Sequence, residues 1–176
     1  MPDPAAGQVI DPRTIQLREI TDANRAAVVA LQVATDQEQF VASVAESLDE
    51  AAATPEGSPW YRAIYAGDQP AGFVMLSWAA TPTAEIIGPW FLWRLLIDQH
   101  HQRRGIGRAA LAQVVELIRA EGATELLTSY HPGPGEPWPF YERFGFRPTG
   151  AFDHDEIVLS LDLRAADKTA ENLARA

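Results

Sequence analysis

The stretch Ile97-Asp98-Gln99-His100-His101-Gln102-Arg103-Arg104-Gly105-Ile106-Gly107-Arg108 joins a run of bulky residues, Trp90 to Ile97, to an apolar-periodic segment, Ala109 to Ala120. That succession predicts a strand, a cationic glycine loop and the first turn of a helix. Gly105 and Gly107 let the backbone approach a ligand closely, and the first-turn amides of a helix have no acceptor within it. The positive end of the helix dipole points the same way, and Arg103, Arg104 and Arg108 add full charges, so the loop suits a phosphate. A Walker loop needs Gly-Lys-Ser/Thr after its second glycine, whereas Gly107 is followed by Arg108-Ala109. A dinucleotide loop needs its first glycine almost at the strand end, but six polar or charged residues, Gln99 to Arg104, intervene.

On either side of this loop the pattern is regular. Residues 1–12, with prolines at 2, 4 and 12, read as a disordered lead-in. Thr14 to Ile20 alternates as a half-buried strand. Thr21 or Asp22 can cap a helix that runs to about Val33, and a second helix is expected from about Glu38 to Ala53. After the break at Thr54 to Pro59, the runs Trp60 to Ala66 and Ala71 to Ala79 flank the turn Gly67-Asp68-Gln69-Pro70 and form a hairpin. Trp90 to Asp98 is a long, central strand. Leu111, Val114, Val115 and Ile118 make one apolar helix stripe that stops at Gly122. A strand from Ala123 to Tyr130, a short helix from about Pro137 to Phe144, a strand near Phe146 and a last strand from Glu156 to Leu163 complete residues 13–163, read as one domain. A tail, 164–176, follows. The order β-α-α-β-β-β-α-β-α-β-β predicts an α/β (α+β mixed) fold, with helices on both faces of a sheet and a right-handed crossover after Trp90 to Asp98.

Composition narrows the function. The 176 residues are 47% hydrophobic and 22% charged, enough for a sizeable core. No cysteine is present, so disulfides, thiolate metal sites and an acyl-cysteine route are excluded. A formal net charge of −10 argues against nucleic acid and favours a cationic small molecule as partner. No apolar run has the length of a membrane span, and Met1 to Gly7 lacks the parts of a signal peptide, so no membrane partner and a cytoplasmic location are expected. His100-His101 and Asp153-His154-Asp155-Glu156 read as loop and turn residues rather than metal ligands, and no metal is expected.

Gln102-Arg103-Arg104-Gly105-Ile106-Gly107 matches the pattern Gln/Arg-x-x-Gly-x-Gly/Ala, and it resembles the acyl-CoA loop of the GNAT superfamily of N-acetyltransferases. Leu95-Leu96-Ile97-Asp98 sits where that family has its central strand. Phe140-Tyr141-Glu142-Arg143-Phe144-Gly145-Phe146 is similar to its later Phe-Tyr-x-x-x-Gly-Phe signature. The motifs cover about residues 90–147, and the element order extends the match over nearly the whole chain. The resemblance implies a mixed, mostly antiparallel sheet of about six to seven strands. It also implies transfer of an acetyl group from acetyl-CoA by direct attack of an amine.

In that reading the pyrophosphate lies over the amides from Arg104 to Arg108, which include Gly105, Ile106 and Gly107, with Gln102 and Arg103 flanking. The pantetheine arm pairs with the backbone of Leu95, Leu96 and Ile97, where a bulge opens the sheet. The Leu96 amide is then the implied donor to the thioester carbonyl, and Tyr141, a further cofactor contact, is the implied general acid for the departing thiolate. Relatives often carry a carboxylate where this chain has Trp93-Arg94, and an asparagine where it has Ser129 to Gly133. Glu85 is the base assigned here, while Glu38, Glu136, His131 and a water chain stay open.

Three stretches, Asp22 to Ala27, Arg94 to Asp98 and Arg143 to Phe146 with Thr149-Gly150, are similar to bacterial spermine/spermidine (diamine) acetyltransferases. A polyamine acceptor wants carboxylates and aromatic faces. Glu38, Trp93 and Arg94 are the expected acceptor contacts, with Trp60, Tyr61 and Trp90 as further aromatic candidates. Aminoglycosides and protein N-termini are the alternative acceptors. The rival reading is a catalytically idle acyl-CoA-binding sensor, and the resemblance also admits a homodimer paired through strands.

Overall fold

The computed structural model describes residues 9–164. Seven strands form one sheet: β1 (Ile15–Arg18), β2 (Pro59–Ala66), β3 (Gln69–Ser77), β4 (Phe91–Ile97), β5 (Glu125–Tyr130), β6 (Arg147–Asp153) and β7 (Glu156–Asp162). Four helices accompany them: α1 (Arg25–Val29), α2 (Val44–Ala53), α3 (Ile106–Ala120) and α4 (Trp138–Phe144). The strand order is β1-β2-β3-β4-β5-β7-β6, antiparallel at every pairing except β4 with β5. The expected element order and mixed, mostly antiparallel sheet are both present.

Period-two alternation sorts the side chains onto two faces. On β3, Val74 and Leu76 join the core beneath α3, whereas Phe73 and Met75 join the core beneath α1 and α2. α3 buries Ile106, Ala110, Leu111, Val114, Val115 and Ile118, the stripe expected from its sequence. Each large aliphatic residue so buried contributes about 1.5–3 kcal/mol, and burial of this face holds the helix start beside the end of β4. Among the described residues no helix is long and apolar enough to cross a membrane.

The first helix ends at Val29 rather than near Val33, and Gln69 and Pro70, expected in the hairpin turn, open β3. Two further boundaries differ from expectation. The second helix starts at Val44, because Ser43 and Glu46 close a capping box: Ser43 Oγ accepts from Glu46 N at 3.2 Å, and Glu46 Oε2 accepts from Ser43 N at 2.9 Å. Glu38 therefore lies in the turn before α2 rather than on the helix. The last residues of the expected lead-in are structured. Ile10 N donates to Arg104 O at 3.0 Å, and Asp11 caps a short 3-10 turn at Pro12–Thr14. The remainder of that lead-in, residues 1–8, and the tail beyond Arg164 lie outside the described residues.

Candidate active site

β4 and β5 run side by side only at Phe91↔Leu127 and Leu92↔Thr128, and beyond that point they part. On its other edge β4 pairs with β3, but Leu76 faces Leu92 while Met75 faces Arg94, so Trp93 is an inserted residue. An insertion of one reverses the alternation downstream. Leu92 and Leu95, three apart, both pack toward α3, while Leu96 turns to the core under α1 and α2.

The bulge also decides which peptide groups face the open fork. Asp98 N donates to Ala71 O at 2.9 Å, Leu96 is the register partner of Phe73 two residues along, and a Cβ on Gly72 would run into Leu96 O, so Asp98 and Leu96 point their peptide groups into the β3 ladder. Leu95 and Ile97 point theirs the other way, and Gln102 Nε2 meets Ile97 O on that side at 3.0 Å. The expected donor, the Leu96 amide, is therefore committed to β3. The groups offered to the fork belong to Leu95 and Ile97.

A cleft of about 700 Å³ runs from this fork to the start of α3. Leu95, Ile97, Gln102, Arg103, Gly105, Ile106, Gly107, Arg108 and Tyr141 line it, whereas Leu96 and Arg104 do not. Gly105, at φ 81°, is the N-cap of α3 and provides no side-chain cap, so the amides of Ile106, Gly107 and Arg108 remain available as donors. A Cβ on Gly107 would stand 3.4 Å from Ile97 and 3.6 Å from Phe140, both in the cleft wall. Gln102 acts as a clip, donating to Gln37 Oε1 at 2.6 Å as well as to Ile97 O. Arg108 sits over the Phe144 ring, 5.4 Å from its centroid. Uncapped helix amides, arginines and an unpaired strand edge suit an extended ligand with phosphates at one end and amides along its arm. Asp98 holds the strand end by accepting from Gln32 N and His100 N, both at 3.0 Å.

Tyr141 packs edge-on against Phe140 and Phe146, each with centroids 5.3 Å away, and is 8% exposed. Burial pushes its phenol up to about 12, while the Thr128 side chain opposes the rise and the Glu156 carboxylate adds to it. It is a proton donor throughout the neutral range. Burial also pushes the His101 imidazole down.

A second cleft of about 600 Å³ opens on the α2 side of the fork. It meets the first at Phe40, Val41, Trp93, Arg94 and Ser129. Glu38, Glu50, Glu85, Asp153, Asp155 and Glu156 line it against Arg94 and His154. Arg94 is not free to act there: its Nη2 pairs with Glu50 Oε2 at 2.5 Å and its Nη1 donates to Trp93 O at 2.8 Å, tying β4 to α2. Glu38 and Glu85 are both exposed, and the partner of the Glu85 carboxylate, Thr83, belongs to its own loop. Glu136 lines the first cleft and accepts from Gly133 N, and His131 pairs with Asp155 at 3.2 Å. Trp60 and Trp90 instead join Trp78 in the core, and Tyr61 stacks on Phe73, so of the aromatic candidates Trp93 alone lines the clefts. Sequence reasoning missed Ser129 with Glu156, which hydrogen bond to each other at the junction of the clefts. A serine one position past a strand pair and a glutamate read as a turn residue carry no local signal of that meeting.

Comparison with known proteins agrees with the fold. The pattern of the acetyltransferase (GNAT) family matches residues 22–146. A probable spermine N(1)-acetyltransferase of Bacillus subtilis subsp. natto is 27% identical over 145 residues, 80% of this chain and 92% of that protein. The PaiA N-acetyltransferase of Thermoplasma acidophilum, solved with coenzyme A, superposes with a TM-score of 0.60 at 15% identity, over 84% of this chain and 98% of its own. An aminoglycoside 6′-N-acetyltransferase, also solved with coenzyme A, gives 0.61 at 15% identity, over 85% and 96%. With the family match spanning most of its length, the chain belongs to the acetyltransferase (GNAT) family.

Proposed function

We propose that this protein acetylates a primary amine of a small polycation, a polyamine, with acetyl-CoA as donor. The observation that carries the reading is the pair of clefts that meet at the β4–β5 fork, one lined by the cationic helix start and the other by six carboxylates. The donor set fits coenzyme A. The amides of Ile106, Gly107 and Arg108 suit the pyrophosphate, and the peptide groups of Leu95 and Ile97 suit the amides of the pantetheine arm. Acetyl-CoA supplies the acetyl group as a thioester, whose sulfur departs as a thiol.

The chain contributes the rest. The Leu95 amide, directed into the fork, is the donor placed to polarise a carbonyl there, the role first read onto Leu96. Tyr141, protonated at neutral pH, gives its proton to the departing sulfur. Glu38, Glu85 and Asp155 draw ammonium groups into the acidic cleft, and Trp93 offers them a ring face. Steady-state CoA release with putrescine, spermidine and spermine, beside calorimetric acetyl-CoA binding, tests the proposal. Saturable release with at least one polyamine is expected. Tight acetyl-CoA binding without release on any of the three contradicts it.

A further inference from the structure

The attacking amine enters as an ammonium and must lose a proton, yet β4 presents Arg94, engaged with Glu50, at the fork. β5 supplies another route. Thr128 and Ser129 are successive residues, so they project to opposite faces: Thr128 toward the buried Tyr141 and Ser129 into the acidic cleft. Ser129 is the first residue of β5 beyond its last pair with β4 and lines both clefts. Its Oγ donates to Glu156 Oε2, brought there by the β5–β7 pairing.

We propose that Ser129 and Glu156 form the relay that takes the acceptor's proton, Glu156 acting through Ser129. An ammonium N–H donates to Ser129 Oγ while the Ser129 hydroxyl proton passes to Glu156 Oε2. The serine ends with the proton count it began with, the carboxylate becomes a carboxylic acid, and the amine keeps the lone pair it needs to attack. The proton for the departing sulfur comes separately from Tyr141, on the opposite face of the sheet. Charged groups lining the cleft with Glu156 are Asp153, His154 and Asp155 of its own turn, with Arg94, Glu38, Glu50 and Glu85 from other elements, and the Tyr141 phenol feels its charge. His131 approaches through its pair with Asp155.

This relay rests on the amine acetylation proposed above, and its test separates the two. The acceptor is the best substrate of an amine panel containing polyamines, an aminoglycoside and a peptide N-terminus. Glu156→Gln and Ser129→Ala should each lower kcat about a hundredfold near pH 7, the size of a lost general base. The double variant should lose no more than the worse single variant, because the two residues act as one unit. Ser129→Thr, which keeps a hydroxyl, should recover at least about a tenth of the wild-type rate. The Glu156→Gln deficit should narrow as pH rises toward about 10, where the amine loses its proton without help. Acetyl-CoA affinity and melting temperature should stay at wild-type values, which distinguishes a lost relay from a damaged fold. Variants within about threefold of wild-type kcat, or a loss confined to acceptor KM, overturn the relay alone. A wild-type enzyme that acetylates no amine overturns both proposals.

Discussion

Thr128 Oγ1 donates a 3.0 Å hydrogen bond to Leu92 O at the last point where β4 and β5 lie side by side. The bond is buried and marks the base of the fork from which both clefts open. Thr128→Val keeps the shape and removes the donor. The cost should be about 1–2 kcal/mol, read as a lower denaturation midpoint with an unchanged slope.

Tyr141→Phe removes a phenol that stays protonated far above neutral pH. The acetyl-transfer rate should fall by about ten- to a thousandfold, since a thiol leaves tolerably without an acid. Calorimetric acetyl-CoA affinity should change little. A variant with wild-type turnover would remove Tyr141 from the acid's role.

The same phenol makes stability depend on alkaline pH. Its folded value, about 12, lies above its ordinary value of 10.0, so the unfolded chain gives up this proton first. The contribution is fully present below pH 10 and is lost as pH rises from there toward about 12. The stability of wild type relative to Tyr141→Phe should therefore fall between about pH 10 and about pH 12 when urea midpoints are compared.

Gly105 and Gly107 should respond differently to alanine. At φ 81° Gly105 occupies left-handed backbone, so Gly105→Ala should cost about 1–2 kcal/mol and lower the melting temperature. Gly107 has no such constraint, and its added Cβ would meet Ile97 at an ordinary 3.4 Å. Gly107→Ala should melt like wild type and still bind acetyl-CoA more weakly, because the methyl narrows the cleft wall.

Arg94 places a positive charge in an otherwise acidic cleft. Arg94→Met frees the Glu50 carboxylate and should lower the KM for spermidine by about fivefold, near 1 kcal/mol of Coulomb energy at a partly solvated site. Acceptor KM should also rise with ionic strength, more steeply than the KM for acetyl-CoA at low salt.

Much of this arrangement is legible in the sequence. The Ala109 to Ala120 stripe and the glycines before it carry their signals within one turn of chain, and the cationic glycine loop at the start of α3 follows from them. The capping box at Ser43 and Glu46 is equally local, a Ser-x-x-Glu pattern that starts the helix at Val44 and leaves Glu38 in a turn. The bulge at Trp93 was harder to see, because a single inserted residue leaves a strand that still reads as bulky and apolar. Its trace is the spacing of Leu92 and Leu95, and it turns the Leu95 amide, rather than the Leu96 amide, toward the fork. Glu156 was not legible at all as a partner of Ser129. The residues are 27 apart, and only the strand order β5-β7-β6 brings them together.

The most direct measurement is a competition assay. The enzyme meets acetyl-CoA and an equimolar mixture of spermidine, an aminoglycoside and a peptide with a free N-terminus, and the products are weighed by mass spectrometry. Acetylated spermidine should dominate, with one CoA released for each acetyl group transferred. An acetylated aminoglycoside or peptide beside untouched spermidine would contradict the assignment of the acidic cleft to a polyamine.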